Sequence, residues 1–78
     1  MNNNQRYYGY ILNIIEVGEI TTVENIHTRL FYYNPNEAKG LKRAFSHAHM
    51  PTSRGIGGIL RGKPHFEYLG NGNWRRIE

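Results

Sequence analysis

Apolar residues recur at helical spacing over most of the chain and change to strand-like runs near its end. From Gln5 to Val17 two stripes run side by side. Tyr8, Ile11, Leu12 and Ile15 form one at i, i+3, i+4 and i+7, and Tyr7, Tyr10, Ile14 and Val17 form the other. Gly9, Asn13 and Glu16 are the polar strip that remains, and Gly18 is the stop. A helix apolar over most of its circumference must be covered on more than one side. One stripe is expected to meet the core. The other needs either a second copy of the chain or a later segment of the same one.

Glu19 to Thr21 reads as a brief extended piece, and Thr21-x-x-Glu24 as a capping box that opens a helix over Val23 to Tyr33. Val23, Ile26, Leu30 and Tyr33 are its inward positions. Asn34-Pro35-Asn36 stops it, and Asn36 can cap a further helix from Glu37 to His49. There Ala38, Leu41, Phe45 and Ala48 face in, while Lys39, Arg43 and Ser46 lie opposite. Met50-Pro51 is a turn.

The chemistry concentrates between Pro51 and Ile77. Thr52 or Ser53 caps a helix over 53–61, because a side-chain oxygen there accepts an orphan backbone N–H. Gly62 followed by Lys63-Pro64 ends it, glycine taking the left-handed position that closes many helices. Ile56, Ile59 and Leu60 share one face; Arg54, Gly57, Gly58 and Arg61 share the other. Glycine within a helix costs roughly 1 kcal/mol relative to Ala. The run Gly55, Gly57, Gly58 therefore asks for compensation, either tight packing at Gly55 or a surface that comes close to the bare backbone. His65–Leu69 and Trp74–Ile77 then flank Asn71-Gly72, the strongest two-residue hairpin signal. With Asn71-Gly72 as the loop, Gly70 faces Asn73, Leu69 faces Trp74, Tyr68 faces Arg75, Glu67 faces Arg76 and Phe66 faces Ile77. Each pair is apolar, cation–π or opposite in charge, as sheet neighbours prefer.

A helix ending L-R-G, then P-H-F-E, a Gly-rich turn and W-R-R-I resembles the recognition helix and wing of winged helix-turn-helix DNA-binding domains, most of all the small archaeal and bacterial ones. The resemblance implies a mainly α fold with a small β-hairpin, in the order α1-β1-α2-extra helix-α3-β2-wing-β3. It covers Thr52 to Ile77 best. The helix over 37–49 departs from the pattern. Either it is an insertion, or it and 53–61 are the helix-turn-helix pair, joined by a turn of suitable length at His49 to Thr52.

Charge sharpens this picture. Residues 1–38 carry Arg6 and Arg29 against Glu16, Glu19, Glu24 and Glu37, a net −2. Residues 39–78 carry Lys39, Lys42, Arg43, Arg54, Arg61, Lys63, Arg75 and Arg76 against Glu67 and Glu78, a net +6. A basic half beside an acidic half points to a polyanion-binding face. The 78 residues suffice for one domain over 5–78 behind a disordered tail over 1–4, and they include no cysteine. No apolar run approaches the ~20 residues of a membrane span, and the start is not a signal peptide. A cytoplasmic, nucleoid-associated place is the expectation, without membrane or cofactor.

Catalysis finds little support. Aspartate is absent, the six glutamates are scattered, and Ser46 and His47 are helix neighbours that do not face each other. His47, His49 and His65 lack metal-ligand spacing, and Gly55-x-Gly57-Gly58 lacks the lysine and the preceding strand of a phosphate loop. The tyrosines at 7, 8, 10, 32 and 33 have the spacing of packing residues rather than of a base-stacking surface. Duplex DNA binding is the reading that remains, as a transcriptional regulator or chromatin-associated factor. The 53–61 helix would enter the major groove with Arg54 and Arg61 on base edges and Gly57 and Gly58 at the closest approach. Thr52 and Ser53 would hold a phosphate at the helix N-terminus. Asn71, Asn73 and Arg75 on the 70–75 wing would reach the backbone, and Lys39, Lys42, Arg43 and Lys63 would add phosphate contacts. A homodimer through Tyr7, Tyr10, Ile14 and Val17 would pair two reading helices. A winged helix used for protein docking is the alternative.

Overall fold

The computed structural model describes every residue except Met1, Asn2, Ala44, His47 and Ala48. The described residues form four helices and one three-stranded antiparallel sheet. In chain order these are α1 (Asn3–Ile14), β1 (Ile20–Thr22), α2 (Val23–Tyr32), α3 (Pro35–Ala38), α4 (Ser53–Leu60), β2 (Phe66–Gly70) and β3 (Asn73–Arg76). Strand β3 lies between β1 and β2. The core draws Tyr7 and Ile11 from α1, with Ile15 just past its end. To these α2 adds Ile26 and Leu30, α4 adds Ile56, Ile59 and Leu60, and the sheet adds Phe66 and Trp74. No described helix is long and apolar enough to cross a membrane.

Asn3 and Asn4 belong to α1, so the helix reaches into the expected tail. Its two stripes are not separate surfaces. Counted from Ile11 at about 100° per residue, Tyr7, Tyr8, Tyr10, Leu12, Ile14 and Ile15 all fall within about 100° on either side. They merge into one broad inward arc. Tyr7 is only 1% exposed, at the heart of the core. Tyr10 is half-buried, with ring centroids 5.5 Å from Tyr33 and 5.8 Å from Phe45. Ile14 is half-buried beside α2, and Val17, 63% exposed, lies beyond the helix end. The expected dimer face of Tyr7, Tyr10, Ile14 and Val17 is thus corrected at two positions: Tyr7 is core, and Tyr10 packs on Tyr33 and Phe45 after α2.

The helix cap sits one residue later than expected, and without the reciprocal glutamate contact of a capping box. Thr22, not Thr21, is the N-cap of α2, and its hydroxyl accepts from the Asn25 N–H at 3.1 Å. Thr21 is buried in β1 and accepts from the Asn25 side-chain amide at 2.7 Å. The helix expected over 37–49 is a single turn, α3, capped by Asn34 rather than Asn36. Gly40 stops it. With φ of +76° the chain reverses there, the Gly40 N–H donates to Glu37 O at 2.9 Å, and the Leu41 N–H donates to Asn36 O at 2.8 Å. Those two bonds are the Schellman closure that glycine favours. Leu41 is consequently 43% exposed instead of core, while Phe45 keeps a half-buried place. Ala48, another expected core position, lies outside the described residues, as does His47. The helix pair that flanks the connection is α2 and α4, so the alternative pairing of 37–49 with 53–61 is not the one formed.

The hairpin turn has positive φ at Asn71 (54°) and Gly72 (79°), as its type requires. Its register differs by one residue beyond Gly70↔Asn73. Tyr68 faces Trp74, Glu67 faces Arg75 and Phe66 faces Arg76, because Leu69 is bulged out of the ladder. Gly70, at φ +95°, supplies the backbone turn of the bulge.

Two arginines close the C-terminal end of α1. Arg29 donates to Ile14 O and pairs with Glu19, and Arg76 donates to Leu12 O at 2.6 Å and to Ile15 O. Burial works to raise the pKa of Glu19. The Glu16 N–H, donating at 3.0 Å, and Arg29 outweigh it and hold the carboxyl below its usual range. A depressed folded-state pKa stabilises above the unfolded-state value and loses that contribution as pH falls through the folded one. Stability should therefore fall as pH drops below about 4.5. Glu19→Gln should cost about 1 kcal/mol at pH 7 and flatten that acid slope. An unchanged slope in urea unfolding between pH 6 and 3 would assign the acid loss elsewhere.

Candidate nucleic-acid interface

Helix α4 presents the most exposed chemistry. Thr52 is its N-cap, with its hydroxyl accepting from the Gly55 N–H at 3.1 Å, and Ser53 begins the helix half-buried. Ile56, Ile59 and Leu60 anchor the inner face, which fixes the outer one by helical geometry. Arg54, Gly58 and Arg61 are exposed there. The helix ends where Arg61 turns extended, and Gly62, at φ +78°, takes the glycine position of the turn that follows, closed by the Lys63 N–H donating to Leu60 O at 3.1 Å.

The three glycines of α4 separate by what surrounds them. A Cβ on Gly55 would lie 3.3 Å from Pro51 Cβ, so packing explains that glycine. One on Gly57 would lie 3.8 Å from Val23 Cγ1, an ordinary contact with α2. Gly57 is half-buried beside α2 and not part of the open face, which corrects its expected place at the closest approach. Gly58 has nothing within 4 Å. Among the described residues, no neighbour requires a glycine there.

An open cleft of about 270 Å³ lies where the C-terminal end of α4 meets the N-terminal end of α1. Gly58, Arg61 and Lys63 line one side with Ile59, and Asn4 and Gln5 the other. The two amide residues were not among the expected contacts. Their position in a polar leading segment carried no signal; their helical continuity with α1 is what places them. The Lys63 ammonium lies 5.4 Å from the Tyr8 ring centroid, which orients it by a cation–π contact.

On the wing, two of the three expected contact residues have partners within the hairpin. Arg75 is held in an ion pair with Glu67 across the strands. Asn73 donates its side-chain amide to Gly70 O at 3.2 Å and so supports the bulge. Asn71 remains exposed at the tip, beside a Gly72 N–H that donates to the Tyr68 hydroxyl at 3.1 Å. Lys39, Lys42 and Arg43 are exposed on the connection after α3, not on a helix beside α4. The connection is pinned by the Asn34 and Asn36 amides, which donate to Arg43 O at 3.4 and 3.2 Å.

Arg29, Arg75 and Arg76 are thus committed inside the fold. Lys39, Lys42, Arg43, Arg54, Arg61 and Lys63 are exposed and meet no carboxylate among the described residues. These six are the electrostatic resource of the basic half.

One pairing escaped the sequence reading altogether. The Tyr8 hydroxyl and His65 Nδ1 are 2.6 Å apart across 57 positions of sequence. Burial raises the Tyr8 pKa, partly offset by the His65 bond and by Arg76. The phenol accordingly stays protonated at neutral pH, and the pair fastens α1 to the residue before β2. His65, expected near phosphate, is half-buried in this contact. Comparison of the chain with protein-family models, with curated proteins and with solved structures finds no match.

Proposed function

We propose that this chain is a non-enzymatic winged-helix domain that binds double-stranded DNA, laying the outer face of α4 in the major groove. The observation that carries the reading is the bare Gly58 backbone between exposed Arg54 and Arg61, a costly helix position where a Cβ would meet no described atom within 4 Å. Arg54 and Arg61 would reach base edges. Lys63 and the cleft it shares with Asn4 and Gln5 would seat a backbone phosphate, and Asn71 would touch the backbone from the wing. Strand order β1-β3-β2 behind α4 is the layout such a domain has, which supports the assignment.

A titration of duplex against salt tests this directly. If the six uncommitted cations each neutralise a phosphate, log K should fall against log salt with a slope of roughly −5. Affinity would then drop about a thousand-fold between 50 and 200 mM salt. Arg54→Ala and Arg61→Ala should each cost about 1–3 kcal/mol on a preferred site and less on random duplex. A salt-independent affinity, or none for duplex, rejects the reading.

A protein-docking role rests on a different surface. Tyr32 is 79% exposed and Phe31 55% exposed, their rings packed edge to face at 5.2 Å at the end of α2. Tyr32→Ala should leave duplex affinity unchanged if α4 is the binding element.

A further inference from the structure

The outer face of α1 carries a second cleft, which shares Gln5 with the cleft at α4 and is otherwise lined by different residues. Gln5, Arg6, Gly9, Tyr10 and Asn13 line it with Lys39, which follows α3, and together they enclose an open cleft of about 500 Å³. That volume is in the range of small-ligand pockets. Both charged residues of the lining are cations, and no carboxylate accompanies them. Arg6 Nε is buried and has no hydrogen-bond partner. The guanidinium is oriented by donation from Nη2 to the Asn3 side-chain carbonyl and by the Tyr7 ring, whose centroid is 5.9 Å from Cζ. Both partners are neutral, and no carboxylate among the described residues pairs with Arg6. Gly9 is the other helix glycine with nothing within 4 Å of a would-be Cβ. It lines the cleft with bare backbone at a mid-helix position where alanine would be more favourable.

We propose that this cleft binds a small organic anion with a planar polar group, of the nucleoside monophosphate class. Its phosphate lies between Arg6 and Lys39. Its ring lies over Gly9, with the carboxamides of Gln5 and Asn13 at its polar edges. Asn13 is already steadied by donation to the Tyr33 hydroxyl at 3.2 Å. The occupant ties α1 to the start of the connection that leads to α4. The proposal does not depend on duplex binding.

Titration of the full chain with adenosine monophosphate, followed by amide chemical shifts, tests it. Saturable shifts at Gly9, Asn13 and Lys39 are expected below about 1 mM ligand. Adenosine and inorganic phosphate should each bind about ten-fold or more weakly, since each lacks one half of the recognition. Gly9→Leu places bulk on the cleft floor from a Cβ that meets nothing within 4 Å, and should weaken binding about ten-fold while keeping the folded spectrum. Arg6→Gln should do the same, and if that variant fails to fold, Gly9→Leu alone decides. Absence of saturation, equal binding of inorganic phosphate, shifts confined to α4, or unchanged affinity in Gly9→Leu would each overturn the site.

Discussion

Arg76→Ala is expected to lower stability by about 3 kcal/mol, and Arg75→Ala by less than about 1 kcal/mol. In the sequence these neighbours look alike. In the fold they point to opposite tasks, because successive strand residues face opposite sides of a sheet. The Arg76 guanidinium enters the C-terminal end of α1 and donates to Leu12 O and Ile15 O. Carbonyls of a last helical turn have no partner within the helix, and a cation there is favoured by the helix dipole. Hydrogen bonds to charged groups contribute about 1.5–3 kcal/mol, and truncation leaves two acceptors unpaired. Arg75 instead pairs with Glu67 where both side chains are over two-fifths exposed, a setting in which an ion pair contributes about 0–1 kcal/mol. For a domain of this size the Arg76 variant should melt roughly 10–20 °C lower. Equal losses for the two variants in urea unfolding would mean that the α1 end is held by Arg29 alone.

The sequence was most legible where one residue type has one physical use. Positive φ at Asn71 and Gly72, the closure at Gly62 and the Thr52 cap followed from local chemistry, and the structure keeps them. The inner faces of α2 and α4 followed from spacing. Failures came where a second signal competed. An apolar stripe was drawn through Gly40, yet the glycine took a left-handed conformation and closed the helix after one turn. The hairpin partners were paired as if the ladder were unbroken, and the bulge at Leu69 moved Glu67 from Arg76 to Arg75. That slip had a consequence for the candidate site: it paired Arg75 with Glu67 across the strands at the surface and left Arg76 to cap α1. A doubled stripe on α1 suggested a partner chain, because spacing alone does not tell two faces from one wide arc. Long-range pairs such as Tyr8 with His65 leave no trace in local pattern.

The sharpest expected result at the interface concerns Gly58, where stability and binding should move in opposite directions. Alanine at this position meets nothing within 4 Å and lies in ordinary helical conformation. Gly58→Ala should therefore raise stability by about 0.5–1 kcal/mol, the usual gain from replacing a helix glycine. Gly58→Leu should also fold, since its side chain projects into solvent from an exposed position. The same bulk, placed between Arg54 and Arg61, would hold the helix backbone away from a groove floor. Both arginines would then fall short of base edges together, a loss of about 2–3 kcal/mol, or roughly a hundred-fold in affinity. Gly55 differs: a Cβ there would lie 3.3 Å from Pro51 Cβ, so an alanine has to displace its neighbour by a few tenths of an ångström. Thermal unfolding and duplex titration on the two Gly58 variants distinguish the cases. A stabilised Gly58→Leu variant that binds duplex as well as the parent chain would show that α4 is not the docked element.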